Sequence, residues 1–195
     1  MINVSHLSDV GDDDMAHLGR LEDLRSLSLG CPRVTDAGIA HLRPLVALET
    51  LDIGPCAMTS AGLTSLGGLP RLVHLRIRST RVDDLRPIQG LKGLVQLFIN
   101  GSLVGDEGLA PVAELAALRR LSVIDSPVGD PGLEHLRGLS NLTQLDLSST
   151  RITDAGLKSL SGLRGLTRLT VTGTGVTDAG VAALQKSLPK LRVIR

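Results

Sequence analysis

Aromatic side chains are almost missing from this chain: there is one Phe, Phe98, and no Tyr or Trp in 195 residues. A conventional globular core uses several aromatics, because each buries a large apolar area, so this interior must be assembled differently. Cysteine is scarce as well. Cys31 and Cys56 are too few for the disulfide framework of a small secreted domain. No apolar run approaches the roughly 18 residues that cross a bilayer. The opening Met1-Ile2-Asn3-Val4-Ser5-His6 has neither a basic region nor a continuous apolar stretch, so no secretory signal is read there. Together these absences make a cytoplasmic location the expectation. Charge imbalance is lacking too, with 21 Lys+Arg against 20 Asp+Glu. That balance excludes a basic nucleic-acid-coating protein and an acidic disordered tail.

Leucine is abundant, at 38 of 195 positions. One series runs Leu21, Leu45, Leu69, Leu91, Leu115, Leu139, Leu163, Leu188, in steps of 24, 24, 22, 24, 24, 24 and 25. Each member opens a stretch of the form L-x-x-L-x-x-L-x-L-x-x-(small)-x-V. The clearest copy is Leu139, Leu142, Leu145, Leu147, Thr150, Ile152, and the next is Leu163, Leu166, Leu169, Val171, Thr174, Val176. The L-x-L centre alternates with period 2, as a short strand requires. The following Thr153–Leu163 places apolar residues three apart, which predicts one short helix turned inward. Thr153 and Asp154 supply oxygens and charge for its N-terminus. Gly38, Gly62, Gly108, Gly132, Gly156 and Gly180 recur where adjacent helices are expected to approach closely.

This pattern, over nearly the whole chain, resembles the leucine-rich repeats. The resemblance implies an α/β fold: a right-handed solenoid or horseshoe with a parallel β-sheet on its concave face and short helices on its convex face. One unit cannot bury its own leucines; stacking does. The 24-residue T-D-A-G-L form is similar to the cysteine-containing subclass found in F-box proteins and related bacterial effectors. No F-box-like helical region precedes the repeats, so a ubiquitin-ligase role does not carry over. The ladder position, usually Asn or Cys, is Pro32, Cys56, Thr80, Ser102, Ser126, Thr150 and Thr174. Cys at Cys56 is expected to face inward, and the Ser and Thr hydroxyls to bond nearby backbone. A single domain over 1–195 is expected, with 1–20 as an N-terminal closing unit, about seven repeats from 21, and a last strand at 191–195. Two breaks stand out. Asp83-Asp84 shortens one unit and Pro87 argues against a regular helix there, while Val4 to Val10 is one residue longer than its counterpart.

Residues between the inward leucines point to the concave face, in rows across successive strands. One row is Ser26, Thr50, His74, Gln96, Arg120, Gln144, Arg168; the next is Ser28, Asp52, Arg76, Phe98, Ser122, Asp146, Thr170; a third is Gly30, Gly54, Arg78, Asn100, Ile124, Ser148, Thr172. Both ends read as small and polar, whereas the centre gathers His74, Arg76, Arg78, Gln96, Phe98, Asn100, Arg120 and Ile124. Aromatics and Arg are enriched at interface hot spots, so these eight are the candidate partner-binding residues. The plainer alternative is that Phe98 covers backbone and Arg76 pairs with Asp52. A register slip of one residue would turn Phe98 inward.

No catalytic residues, cofactor or metal site are read. His17, His41 and His135 share a helix slot, but a third ligand is not evident for zinc. The recurring Asp12, Asp36, Asp106, Asp130, Asp154 and Asp178 are explained by helix capping. No G-x-S-x-G, P-loop, H-E-x-x-H or C-x-x-C motif occurs. The expected function is a non-catalytic protein–protein interaction module whose partner is another protein with an acidic and apolar surface. A scaffold or a repeat segment of a larger protein is the alternative, with polyanion binding or an enzymatic role below it. No membrane partner is expected, nucleic acid is disfavoured, and self-association through the terminal units stays open.

Overall fold

The computed structural model describes residues 1–4 and 9–195. The expected excess residue between Val4 and Val10 therefore falls in a segment outside the described residues. Among those described, nine strands form one parallel sheet whose spatial order is their chain order. They are β1 (Ile2–Val4), β2 (Ser26–Leu29), β3 (Thr50–Ile53), β4 (His74–Arg78), β5 (Gln96–Asn100), β6 (Arg120–Ser122), β7 (Gln144–Asp146), β8 (Arg168–Thr170) and β9 (Arg192–Ile194). Between them lie α1 (Asp12–Leu18), α2 (Asp36–Ala40), α3 (Ser60–Leu63), α4 (Asp106–Leu109), α5 (Asp130–Glu134), α6 (Asp154–Leu157) and α7 (Asp178–Ser187). This is the solenoid the repeat spacing predicts. Most helices are barely one turn, several continuing as 3₁₀ turns; only α7 reaches ten residues. In the shortened unit, Pro87 sits in a 3₁₀ turn, Arg86–Ile88, in place of an α-helix.

Register explains the composition. Leu27, Leu51, Leu75, Leu97, Leu121, Leu145 and Leu169 are direct partners from strand to strand, and none is more than 1% exposed. All belong to one continuous apolar cluster along the stack. Each fully buried leucine is worth about 1.5–3 kcal/mol over exposure, but only where a neighbouring coil covers it. A branched aliphatic of constant size fits such a column; a ring would need its neighbours to differ.

A second column sets the turn after each strand. Ser79, Gly101, Asp125, Ser149 and Gly173, each two residues past the last inward residue of the strand, have φ between 52° and 70°. The left-handed turn rotates the following residue inward, and Thr80, Ser102, Ser126 and Thr150 are buried. Ser126, Thr150 and Thr174 then donate their hydroxyls to the carbonyls of Val123, Leu147 and Val171. The first two full units depart from the expected ladder. Their equivalent residues are Cys31 and Pro55, and a proline ring fixes φ near −65°, so the left-handed turn is closed to Pro55. Cys31 itself points inward, fully buried, with its Sγ donating to the Val4 carbonyl at 3.4 Å. Pro32 is exposed, and Cys56 is half-buried, packed against the core.

The aspartate column does more than cap its own helix, which corrects the sequence reading. Thr35, Thr59 and Thr153 are the N-caps, accepting from the backbone N–H two residues on. Asp12, Asp36, Asp130 and Asp154 stand one place later and reach across to the next coil. Asp130 accepts from the Thr153 N–H and hydroxyl, both at 2.7 Å, and Asp154 does the same for Thr177. Where threonine is absent, Asp106 takes the Gly129 and Gly132 N–H groups instead. Facing the shortened unit, Ser60 stands in the aspartate's place on the preceding coil, accepting from the N–H groups of Asp83 and Asp84. The glycine column makes room for these bridges: a β-carbon at Gly132 would lie 2.7 Å from Asp106 Oδ1 and 2.8 Å from Val128 Cγ1.

Two of these bridges, those of Asp12 and Asp154, hold their carboxyls below the ordinary value. For Asp12, burial raises the pKa, but hydrogen bonds from the Thr35 hydroxyl and N–H outweigh it and hold the carboxyl below its usual 3.8. For Asp154 the Thr177 hydroxyl and N–H lower it in the same sense. A carboxylate whose folded pKa is depressed contributes stability present above 3.8 and lost as pH falls through the folded value. Thermal unfolding should therefore be flat from neutrality to about pH 5 and fall steeply below about pH 4, the usual carboxylate range. Asp154→Asn, which keeps the shape but loses one acceptor, should melt lower at pH 7 and show a smaller further drop at pH 3. Thr153→Ala, removing a cap and a bridge together, should cost about 1 kcal/mol, or roughly 2–4 °C in Tm for a chain of this size.

Candidate functional site

Because Leu75, Ile77, Leu97 and Ile99 point inward, strand alternation forces His74, Arg76, Arg78, Gln96, Phe98 and Asn100 onto the opposite, concave face. Phe98 lies outside the core. It is half-buried, and the Arg76 guanidinium carbon stands 5.0 Å from its ring centroid, within cation–π range. Arg76 and Arg78 both reach the same carboxylate, Arg76 Nη1 to Asp52 Oδ2 and Arg78 Nη2 to Asp52 Oδ1, each at 3.2 Å. Two cations share one anion, and each half-exposed pair is worth only about 0–1 kcal/mol.

The other expected residues divide. Asn100 is occupied by the sheet: its Oδ1 accepts from the Ser122 hydroxyl at 2.9 Å and the Ile124 N–H at 3.3 Å. Gln96 and His74 are half-buried neighbours in one row. His74 Nδ1 is buried with no hydrogen-bond partner among the described residues. Arg120 is exposed on the same row. Ile124 lies past the end of β6, half-buried, and does not line the concavity beside Phe98.

Two shallow concavities meet at Phe98 and Arg76, which line both. The larger, about 450 Å³, continues over Arg78, Arg120, Gln144, Asp146, Arg168 and Thr170. The smaller, about 240 Å³, holds His74, Gln96, Thr50 and Asp52. The sequence reading overlooked the far wall of the larger one. Arg168 stands in the polar row and faces Arg192 directly on β9, so that end is basic, not small and polar. Four arginines against Asp146 line the larger concavity. Asp146 spends Oδ1 on the Ser148 N–H and hydroxyl.

Elsewhere, burial pushes the Cys56 thiol up from its ordinary value, which keeps it protonated and unreactive at neutral pH. Among the described residues no group of three or more His, Cys, Asp or Glu is placed to hold a metal ion. No helix among them is long and apolar enough to cross a membrane.

Known proteins agree with this architecture. Residues 138–161 match the leucine-rich repeat family model. The chain is similar to the crystal structure of an internalin, InlF, from Listeria monocytogenes, at 25% identity and a TM-score of 0.79, over 98% of this chain and 57% of that one. It is similar to a leucine-rich-repeat protein of Leptospira interrogans at 17% identity and TM-score 0.64, over 100% of this chain and 60% of that one. Internalin C2 of Listeria monocytogenes aligns at 22% identity and TM-score 0.61, over 94% and 84%. The chain thus spans less than two thirds of the first two proteins. No curated protein matches the sequence. Repeat spacing, in-register parallel sheet and these likenesses together establish the chain as a leucine-rich-repeat solenoid.

Proposed function

We propose that this solenoid is a non-catalytic recognition module that binds a segment of another protein across its concave sheet. The observation that carries this is the position of the only aromatic ring. Phe98 lies outside a core built almost wholly of aliphatic side chains, under Arg76, beside a concavity of about 450 Å³ walled by further arginines. Solvent-facing aromatic and Arg clusters are the composition of hot spots, and solenoids present extended concave surfaces suited to such partners. Phe98 serves as the apolar anchor and Arg120 as the principal cation. Arg76 and Arg78, already sharing Asp52, orient the ring and add charge; His74 and Gln96 border the smaller concavity. Asn100 and Ile124 support the strand edges more than they contact the partner. The surface is shallow and open to water, which supports binding over catalysis.

The 24-residue spacing and the inward thiol of Cys31 support placement in the cysteine-containing subclass. Two free thiols support a reducing, cytoplasmic setting. A displayed peptide library selected on the wild-type chain should enrich sequences that join an apolar side chain to Asp or Glu. Phe98→Ala should weaken the selected peptides by at least about thirtyfold, the size of a hot-spot loss near 2 kcal/mol. Retained affinity in Phe98→Ala combined with Arg76→Glu would place recognition elsewhere.

A further inference from the structure

We infer that the C-terminal half of the concave face reads an extended acidic segment by spacing, taking carboxylates on Arg120, Arg168 and Arg192 while an apolar side chain rests on Phe98. This rests on the recognition role proposed above and specifies its partner.

The three arginines occupy one row, Arg120↔Gln144↔Arg168↔Arg192, on consecutive strands β6 to β9. All three are exposed, and among the described residues none has an ion pair or a side-chain hydrogen bond. Elsewhere along the sheet arginines have carboxylate partners: Arg25, just before β2, pairs with Glu49, and Arg76 and Arg78 share Asp52. Arg168 stands opposite Arg192 on neighbouring strands about 4.8 Å apart, and like charges placed opposite each other are unfavourable for the sheet by themselves. A ligand that brings negative charge turns that cost into affinity.

Geometry selects the ligand's form. Arg120 and Arg168 are two strand spacings apart, about 9.6 Å, and three residues of polyproline II advance about 9.3 Å. Arg192 lies one spacing further, and the Phe98 strand one spacing before Arg120. A segment crossing the strands therefore presents an apolar residue, an acid one or two places on, a second acid three places beyond, and a third one or two places after that. Asp146 stands on the wall of the larger concavity and Asp52 on that of the smaller one beside it. They oppose a uniformly charged nucleic-acid backbone, which would need every anionic position neutralised, and tolerate a peptide whose charges are spaced.

The test uses the whole chain and two synthetic ten-residue peptides of identical composition, one with the acids at the derived spacing and one with them contiguous. The spaced peptide should bind at least tenfold tighter, and Arg120→Gln and Arg168→Gln should each weaken it about tenfold with circular dichroism unchanged. Equal binding of both peptides would overturn the spacing claim. So would displacement by heparin that ignores peptide order, which would mark an unspecific polyanion surface. If selected peptides depend on Phe98 but not on either arginine, this inference fails and the recognition role stands. If they depend on none of the three, both fail.

Discussion

Every feature of this protein depends on one packing constraint: the same inward position must be filled by the same kind of side chain on strand after strand. A single 24-residue coil cannot bury its own leucines. Once Leu75 meets Leu97 and Leu97 meets Leu121 in register, each coil completes its neighbour, and the interior becomes one column of aliphatic carbon. That arrangement explains the near absence of aromatics better than any statement about composition. An interior of repeated, equivalent niches rewards one shape, and leucine supplies it. Whatever does not fit the niche is left for the surface.

Stacking also creates a polar problem that the chain solves repeatedly. Each coil begins a very short helix whose first N–H groups lack partners. The threonine cap satisfies one within the coil, and the aspartate of the preceding coil satisfies the threonine itself. The glycine three places beyond the threonine leaves the space that this bridge needs. Three residue types in T-D-A-G-L are thus explained by one contact between coils, and the contact links a local motif to the long-range order of the stack. At Asp12 and Asp154, where hydrogen bonds hold the carboxyl below its usual pKa, the contact is sensitive to acid.

Much of this was legible in the sequence, for a physical reason: periodicity reports the environment directly. The leucine series predicted the strand order, the inward columns and the concave rows, and Pro87 predicted the loss of a regular helix. The aspartate bridge was not legible as such, because one residue can serve its own helix or the next and spacing alone does not separate the two. The ladder position failed at Pro32, which is exposed, because it depends on a left-handed turn. Cys31 and Pro55 break that turn locally without disturbing the leucine spacing. At the site, the sequence placed Phe98 among arginines but missed how they divide. Arg76 and Arg78 are engaged with Asp52, while Arg168 and Arg192 face each other unmatched.

The central claim is that strand register holds Leu97 and Ile99 inside and the intervening ring outside. Solvent paramagnetic relaxation of the folded chain, read by NMR, tests it most directly. A soluble paramagnetic agent should broaden the Phe98 ring resonances while the Leu97 and Ile99 methyls stay sharp. Sharp ring signals beside broadened Leu97 and Ile99 methyls would mean a strand shifted by one residue, and the concave face described above would not exist.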